Sequence, residues 1–240
     1  MNKSYHEIKT SVYLNNNIHS SDMYEKLSNF INFSFNNSQV LSCLHKSKGF
    51  KHYSFSGLYP IERDYVYKSD EIYSFLFRTH DKEVANEFVK SIMNLNNDDF
   101  ITTEVSLKTW NYENIKHIDN LTPTVFTLNN GLRWNLNDGM EIAKERIFNN
   151  LMKKYNCFNN TSFSFGYNDM IDDIIIKSEC PIVINYKGIK FLGYKFRVKF
   201  KENPIAQEIA NFAVVDGIGE KSSSFGMGFV KPYFRRYKEC

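Results

Sequence analysis

Cysteine is scarce in this sequence, and long apolar runs are missing. Four cysteines occur in 240 residues and no two of them form a Cys-x-x-Cys pair, so neither a disulfide framework nor a zinc ribbon is expected. No uncharged apolar run approaches the ~18 residues that a membrane span needs, and the first residues contain no apolar signal region. These absences predict a cytoplasmic protein in a reducing compartment, with no membrane partner.

The positive charge of the chain is concentrated in its last quarter. Residues 187–240 carry 11 Lys or Arg against 5 Asp or Glu, whereas residues 1–186 carry 19 against 22. A basic segment on a near-neutral body favours a localised anionic partner, most often nucleic acid. A basic face that only meets solvent is the alternative.

The periodicity of the apolar residues predicts an α+β protein. The first half predicts a strand, a helix, two strands, a helix capped by Asp81, and a strand, at residues 5–14, 22–35, 51–59, 71–79, 81–95 and 100–110. This β-α-β-β-α-β order is typical of a ferredoxin-like domain.

After a polar stretch near residues 111–120, a similar order of elements follows. It runs strand, helix, three strands, helix and strand, at residues 121–128, 138–155, 171–177, 181–186, 189–201, 204–213 and 226–231. The second helix begins with a cap at Asn203 and a proline at Pro204. We therefore expect two ferredoxin-like (RRM-like) domains in tandem, at residues 1–118 and 119–240.

A glycine-rich segment precedes the last predicted strand. Four of the 11 glycines lie within twelve residues, namely Gly217, Gly219, Gly226 and Gly228. Such a loop brings backbone N–H groups close to a ligand, and Lys221, Ser222 and Ser223 add a cation and hydroxyls that suit phosphate oxygens. The flanking pattern fits neither a dinucleotide fingerprint nor a P-loop. A flexible connection between two elements remains the alternative.

The predicted strand at 189–201 carries a row of cations. Lys195, Arg197, Lys199 and Lys201 alternate with apolar residues, so strand geometry sends all four to one face. This spacing suits a phosphate backbone, although a solvated outer face is the alternative.

One of the six histidines stands in a basic, glycine-containing loop that runs into the predicted strand at 51–59. His45 is followed by Lys46, Lys48, Lys51 and His52. A histidine among lysines suits phosphodiester chemistry, because the imidazole moves a proton while a cation offsets the charge that develops on phosphate.

Two of these segments together resemble a known family. Gly217-Ile218-Gly219 and Gly226-Met227-Gly228 on either side of Lys221 resemble the glycine-rich signature of the CRISPR-associated endoribonucleases that process precursor CRISPR RNA, members of the RAMP superfamily. The stretch from Leu44 to Ser56 resembles the segment in which many members carry their catalytic histidine. Six residues separate the glycine units instead of the usual five, and Phe30 stands near the place where some members use a tyrosine.

The resemblance implies a metal-independent endoribonuclease without a cofactor, in which the ribose 2′-OH attacks the adjacent phosphate. The products would carry a 2′,3′-cyclic phosphate and a 5′-OH. On this reading His45 is the general base for the 2′-OH or the acid for the 5′-oxygen leaving group. Lys51 stabilises the transition state, and His52 is a reserve acid–base candidate. The resemblance also implies RNA binding by the glycine-rich segment and by the four strand cations. The implied partners are the precursor and mature CRISPR RNA, and can include other subunits of an interference complex or a second copy of the chain.

Two other functions remain open from the residues. The first is an RNA-binding protein of the same fold without a working histidine site. The second is a small-molecule enzyme that binds a nucleotide phosphate at the glycine-rich segment. The second needs an acidic metal site, for which Asp98-Asp99 and Asp172-Asp173 are the available pairs, although both suit surface turns better.

Overall fold

The computed structural model describes residues 3–128 and 133–235. The elements of the first half, in chain order, are β1 (Ser4–Leu14), β2 (Ile18–His19), α1 (Ser20–Phe35), α2 (Gln39–Lys46), β3 (Tyr53–Phe55), β4 (Val66–Tyr67), β5 (Ile72–Thr79), α3 (Lys82–Ile92) and β6 (Phe100–Asn111). Those of the second half are β7 (Ile115–Asn120), a short 3₁₀ helix (Leu136–Asp138), α4 (Met140–Asn159), α5 (Tyr167–Met170), β8 (Ile171–Ile176), β9 (Ile182–Tyr186), β10 (Ile189–Gly193), β11 (Phe196–Phe200), α6 (Pro204–Asp216), α7 (Ser222–Phe225) and β12 (Val230–Phe234). Within the described ranges, no helix is both long enough and apolar enough to cross a membrane.

The first sheet is antiparallel and has the strand order β3-β5-β1-β6. Ile8 of β1 pairs with Phe77 of β5 and is fully buried. The inner face of the sheet packs with Phe30 of α1 and Phe88 of α3 in one apolar core. Asp81 caps α3 as predicted, since its carboxylate accepts hydrogen bonds from the first turn of the helix.

The second sheet has the strand order β12-β7-β11-β8. Val198 of β11 pairs with Ile118 of β7 and with Ile174 of β8. These side chains form a second core with residues of α4 and α6, including Ile147 and Phe212. When the four strands of each sheet are counted along the chain, both sheets have the spatial order fourth, first, third, second. This shared topology confirms the predicted tandem ferredoxin-like fold.

Several boundaries differ from the prediction. The polar stretch before residue 121 forms β7, which pairs with β11 and β12, so the predicted domain boundary after residue 118 cuts through a strand. The sequence does not show the apolar periodicity of β7 clearly, because one of its buried positions is the polar residue Asn120. The Asn120 side chain donates to Tyr194 O and Thr124 Oγ1. The predicted long strand at 189–201 is two strands, β10 in a hairpin with β9 and β11 in the second sheet.

Arg78 of β5 joins the two halves. Its buried guanidinium donates to Glu7 Oε2 at 2.7 Å and to the carbonyls of Val214 and Val230 at 3.0 and 2.7 Å. It also lies over the Phe229 ring, 4.3 Å from the centroid. Because hydrogen bonds from a buried charge are strong, this residue fixes the first sheet against α6 and β12, the elements on either side of the glycine-rich segment.

Candidate functional site

A cleft of about 230 Å³ lies where the two halves meet beside the glycine-rich segment. One wall is formed by residues 49–53 and the other by residues 220–224, with side chains of α4 and α6 at the base. Lys51 and His52 therefore face Lys221, Ser222 and Ser223 across one cavity, although some 170 positions separate the two walls. Two segments that the sequence analysis singled out independently form a single site.

His45 is not among the residues that line this cleft, and Lys51 connects the two. Its ammonium group donates a hydrogen bond to the backbone carbonyl of His45 in the last turn of α2. His45 is on a helix, not on the predicted loop, and its exposed ring packs edge-on against Phe35. Partial desolvation, together with Lys51, Lys187 and Lys46, lowers the pKa of His45. The lowered pKa favours the neutral imidazole, which can accept a proton.

His52 is held from behind by a buried carboxylate. Its Nδ1 lies 3.0 Å from Oδ1 of Asp216, the last residue of α6. The other oxygen of Asp216 lies 3.0 Å from Nε2 of His80. Burial opposes ionisation of Asp216, but the two histidine hydrogen bonds outweigh it and lower the pKa of the carboxyl to about 2. Asp216 is therefore an anion at neutral pH.

Lys154 of α4 lies at the base of the cleft. Its buried ammonium donates to the carbonyls of Asp216 and Gly217 and to Ser222 Oγ, at 3.0, 3.2 and 3.1 Å. Burial lowers its pKa to about 8, although Asp216 and Glu220 oppose the shift. The sequence analysis missed both Lys154 and Asp216. Lys154 lies on the apolar face of a predicted amphipathic helix, three residues after Leu151. A lysine at such a position is rarely buried without a partner, and this was the available sign of a functional or structural role.

The four glycines form the packed back of the loop. Gly217, Gly219, Gly226 and Gly228 are buried and have φ between +68° and +75°. A Cβ on Gly226 would lie 2.7 Å from the Phe55 ring, and one on Gly228 would lie 1.8 Å from Ile218 O. Their tight packing gives these glycines a structural role, and their predicted contact with RNA stays a prediction. They let the loop fold tightly enough to present residues 221–224 to the cleft.

The cation row lies along β11, with Arg197 and Lys199 in the strand and Lys195 and Lys201 flanking it. It has the predicted alternation, but its members differ. Phe196, Val198 and Phe200 are buried, while the side chains of Lys195, Arg197, Lys199 and Lys201 are partly exposed. Arg197 forms a bidentate ion pair with Asp119 at 2.7 and 2.6 Å. Lys195 lines a separate groove of about 470 Å³ together with Lys9 and Lys231. The row therefore belongs to a surface outside the cleft.

The acidic pairs of the competing nucleotide-enzyme hypothesis lie elsewhere. Asp99 forms an ion pair with Lys26 at 2.6 Å, and Asp172 and Asp173 line a pocket beside α4 that does not include the cleft residues. Among the described residues, no three His, Cys, Asp or Glu side chains are grouped as a metal site. Phe30 is fully buried against Phe100, so it has no contact with the cleft.

Comparison with known proteins gives a consistent picture. A family model described as "CRISPR associated protein Cas6, C-terminal" matches residues 107–232. No curated protein matches the sequence. Among solved structures, a CRISPR associated protein Cas6 shares 18% identity, with a TM-score of 0.70 over 95% of this chain and 99% of that one.

Two other solved structures agree. The product of a Cas6-related gene from Pyrococcus furiosus shares 20% identity, with a TM-score of 0.70 over 96% of this chain and 99% of that one. A Cas6 product complex shares 13% identity, with a TM-score of 0.63 over 96% and 100%. At these identities the structural likeness shows the fold, whereas the family model covers more than half of the chain. The chain belongs to the Cas6 family of CRISPR-associated proteins.

Proposed function

We propose that this protein is an endoribonuclease that cuts CRISPR repeat RNA in the cleft between residues 49–53 and 220–224. The observation that carries the proposal is the meeting of Lys51 and His52 with Lys221, Ser222 and Ser223 in one cavity. Cations, hydroxyls and an imidazole around one space suit a phosphodiester that is being cleaved. Membership of the Cas6 family supports repeat RNA as the substrate.

The chemistry follows from the charges around the two histidines. His45, whose pKa is lowered, removes the proton of the ribose 2′-OH, and the resulting oxygen nucleophile forms a new bond to the adjacent phosphorus. The bond from phosphorus to the 5′-oxygen breaks, and His52, whose Nδ1 faces the Asp216 carboxylate, protonates that leaving oxygen. The products carry a 2′,3′-cyclic phosphate and a 5′-OH. This scheme uses no metal ion.

Lys51 and Lys221 neutralise the charge that develops on the phosphate oxygens during this step. The ammonium group of Lys51 lines the cleft and is also fixed to the end of α2 by the His45 carbonyl. A positioned cation needs no reorganisation when the charge develops, which is why such groups contribute strongly to catalysis.

The flanking RNA would follow the groove that contains Lys9, Lys195 and Lys231. The groove adjoins the glycine-rich loop, because Thr122 in its wall donates to the carbonyl of Gly226 at 2.6 Å. Its three lysines provide phosphate contacts, and the exposed ring of Tyr59 provides a surface on which a base can stack.

The test is cleavage of a CRISPR repeat RNA from the host by the purified protein in excess EDTA. We expect cleavage at one site, with a 2′,3′-cyclic phosphate on the upstream product and no cleavage of an RNA that carries a single 2′-deoxy substitution there. Salt-sensitive binding without cleavage would contradict the enzyme and leave an RNA-binding protein. Tighter binding of a mononucleotide than of RNA at physiological salt would favour the small-molecule enzyme.

A further inference from the structure

Asp216 stands between two histidines that come from different parts of the first domain. It is the last residue of α6, and its side chain is 3% exposed. His52 precedes β3 and reaches one oxygen, whereas His80 follows β5 and reaches the other, each at 3.0 Å. Only one of the two histidines lines the cleft, since His52 lines it and His80 lines a smaller pocket.

The chemistry of the carboxylate determines where the ring hydrogens lie. An ionised carboxylate only accepts hydrogen bonds, so the two nitrogens that face Asp216 both carry a hydrogen. His52 therefore has its hydrogen on Nδ1, and Nε2 is the nitrogen that remains for the cleft. His80 uses Nε2 toward Asp216, and its Nδ1 lies 3.3 Å from the Tyr112 hydroxyl.

We infer that Asp216 is a positioning residue for cleavage, one that fixes His52 with Nδ1–H toward α6 and Nε2 toward the scissile phosphate. This inference rests on the proposed function for its consequence, although the tautomer it assigns can be measured without RNA. The same hydrogen bond holds the ring in place while His52 gives its proton to the leaving oxygen.

Packing around the pair restricts other orientations. The His52 ring lies 5.0 Å from the ring of Phe158, and the His80 ring stacks on Phe212 at 5.2 Å with an interplanar angle of 10°. His52 also has a φ of +50°, a left-handed conformation that is uncommon for a residue with a side chain. Such a conformation persists where surrounding contacts require it. The hydrogen bond between the His52 ring and Asp216 is one of these contacts.

Other charged and titratable groups surround the pair. They come from the cleft walls, from α4, from α6, from β1 and from the residue after β6, and are Lys51, Glu220, Lys221, Lys154, Tyr155, Glu208, His6 and Tyr112. Of these, Lys154 donates to the backbone carbonyl of Asp216 and not to its carboxylate. The two carboxylate oxygens therefore serve the two histidines.

The first test is the tautomer of His52, read from ¹⁵N chemical shifts and long-range ¹H–¹⁵N couplings of the imidazoles, with the signals assigned through His52→Gln. We expect Nδ1–H in the free protein at a pH where the ring is neutral, and a shift toward Nε2–H in Asp216→Asn. His80→Gln, which removes the other partner of the same carboxylate, is the matched control and should leave His52 as Nδ1–H. An Nε2–H tautomer in the wild type, or the same tautomer in Asp216→Asn, would overturn the inference.

The second test is the single-turnover cleavage rate. Asp216→Asn should lower the rate at pH 7 about 10- to 100-fold, with RNA binding unchanged within threefold. In a His52→Ala background the same change should have no further effect. A full additional loss in that background, or a wild-type rate for Asp216→Asn, would overturn the inference.

Failure of the proposed function and failure of the positioning role of Asp216 can be told apart. If the wild type has the assigned tautomer but cuts no RNA, the proposed function fails while the placement of His52 stands. If the wild type cuts RNA and the tautomer is Nε2–H, the positioning role fails alone. Should Asp216→Asn not fold, the His52 tautomers of the wild type and of Asp216→Glu decide, because Glu retains the charge and should keep His52 as Nδ1–H.

Discussion

The ammonium group of Lys154 donates a hydrogen bond to the hydroxyl of Ser222 over 3.1 Å. The same group bonds the carbonyls of Asp216 and Gly217, so one buried cation on α4 joins the end of α6 to the start of α7. Lys154, Asp216 and Ser222 all line the cleft. The shape of the cleft therefore depends on a residue in the helix behind the glycine-rich loop.

Lys154→Met should destabilise the protein with a particular pH dependence. Loss of three hydrogen bonds from a buried charge should lower the free energy of unfolding by about 2–3 kcal/mol at pH 7. Because burial lowers the pKa of Lys154 to about 8 from 10.5, the unfolded chain holds a proton between these pH values that the native protein has lost. The stability of the wild type relative to the variant should therefore rise with pH across that window.

Urea denaturation of both proteins at pH 7, 8, 9 and 10 measures this difference. Using the difference between the two proteins cancels the contribution of the tyrosines, which titrate in both. A difference that stays constant or falls from pH 8 to pH 10 would contradict the buried, shifted amine.

Gly228→Ala should prevent the glycine-rich loop from closing. A Cβ at this position would lie 1.8 Å from Ile218 O, and the φ is +68°. We expect a loss of about 3 kcal/mol or more in the free energy of unfolding, or failure to fold. Gly49→Ala is the matched control, because Gly49 has a φ of +93° and nothing within 4 Å of the added carbon. That variant should lose only about 1 kcal/mol. Equal urea midpoints for the two variants would contradict the role assigned to the loop glycines.

The cations of the row along β11 should contribute unequally to RNA binding. Lys195 has no carboxylate partner among the described ion pairs, whereas Arg197 is paired with Asp119. Lys195→Ala should reduce the slope of log affinity against log salt by about 0.7 if it contacts one phosphate of single-stranded RNA. Arg197→Ala should reduce the slope less, because its charge is already compensated.

Fluorescence anisotropy of a labelled repeat RNA between 50 and 300 mM salt measures these slopes (roughly the range over which counterion release is seen). Lys90→Ala, a cation paired with Glu87 on α3, is the control and should leave the slope unchanged. A larger effect for Arg197→Ala than for Lys195→Ala would show that the Asp119 pair opens on binding and would contradict this ranking.

Removal of Lys187 should move the acidic limb of the rate–pH profile to higher pH. Desolvation, Lys51, Lys187 and Lys46 lower the pKa of His45, and Lys187 lies in the turn between β9 and β10, outside the cleft. If His45 is the base, Lys187→Ala raises the pKa at which it becomes neutral, so the rate below pH 6.5 falls while the rate at pH 8 is retained. Single-turnover rates from pH 5 to pH 8 test this, and an unshifted limb would argue against His45 as the base.

The sequence predicts those features that depend on local patterns. Asp81 caps α3, and Asn203 and Pro204 open α6, because caps and first-turn prolines act within one helical turn. The alternation that places Val198 inside and Arg197 outside is likewise a property of one strand. These local signals, taken in order, were enough to predict the tandem ferredoxin-like fold.

The features that sequence reasoning missed depend on distant contacts. Helix α2 has a single buried residue, Leu41, so eight residues give too little periodicity to show it. Asp216 reads as an ordinary polar residue until His52, 164 positions away, and His80 come to its two oxygens. Arg197 reads as a free cation until β7 places Asp119 beside it. Pairing of this kind is set by topology and leaves no trace in the neighbouring residues.

The most direct measurement is the single-turnover cleavage rate of a CRISPR repeat RNA in excess EDTA for Lys51→Ala, with Lys153→Ala as the matched control. Lys51 lines the cleft, whereas Lys153 is an exposed lysine on α4. We predict that Lys51→Ala lowers the rate about 100-fold or more while RNA affinity stays within threefold, and that Lys153→Ala cuts at the wild-type rate. A Lys51→Ala protein that cuts as fast as the wild type would contradict the assignment of this cleft as the site of cleavage.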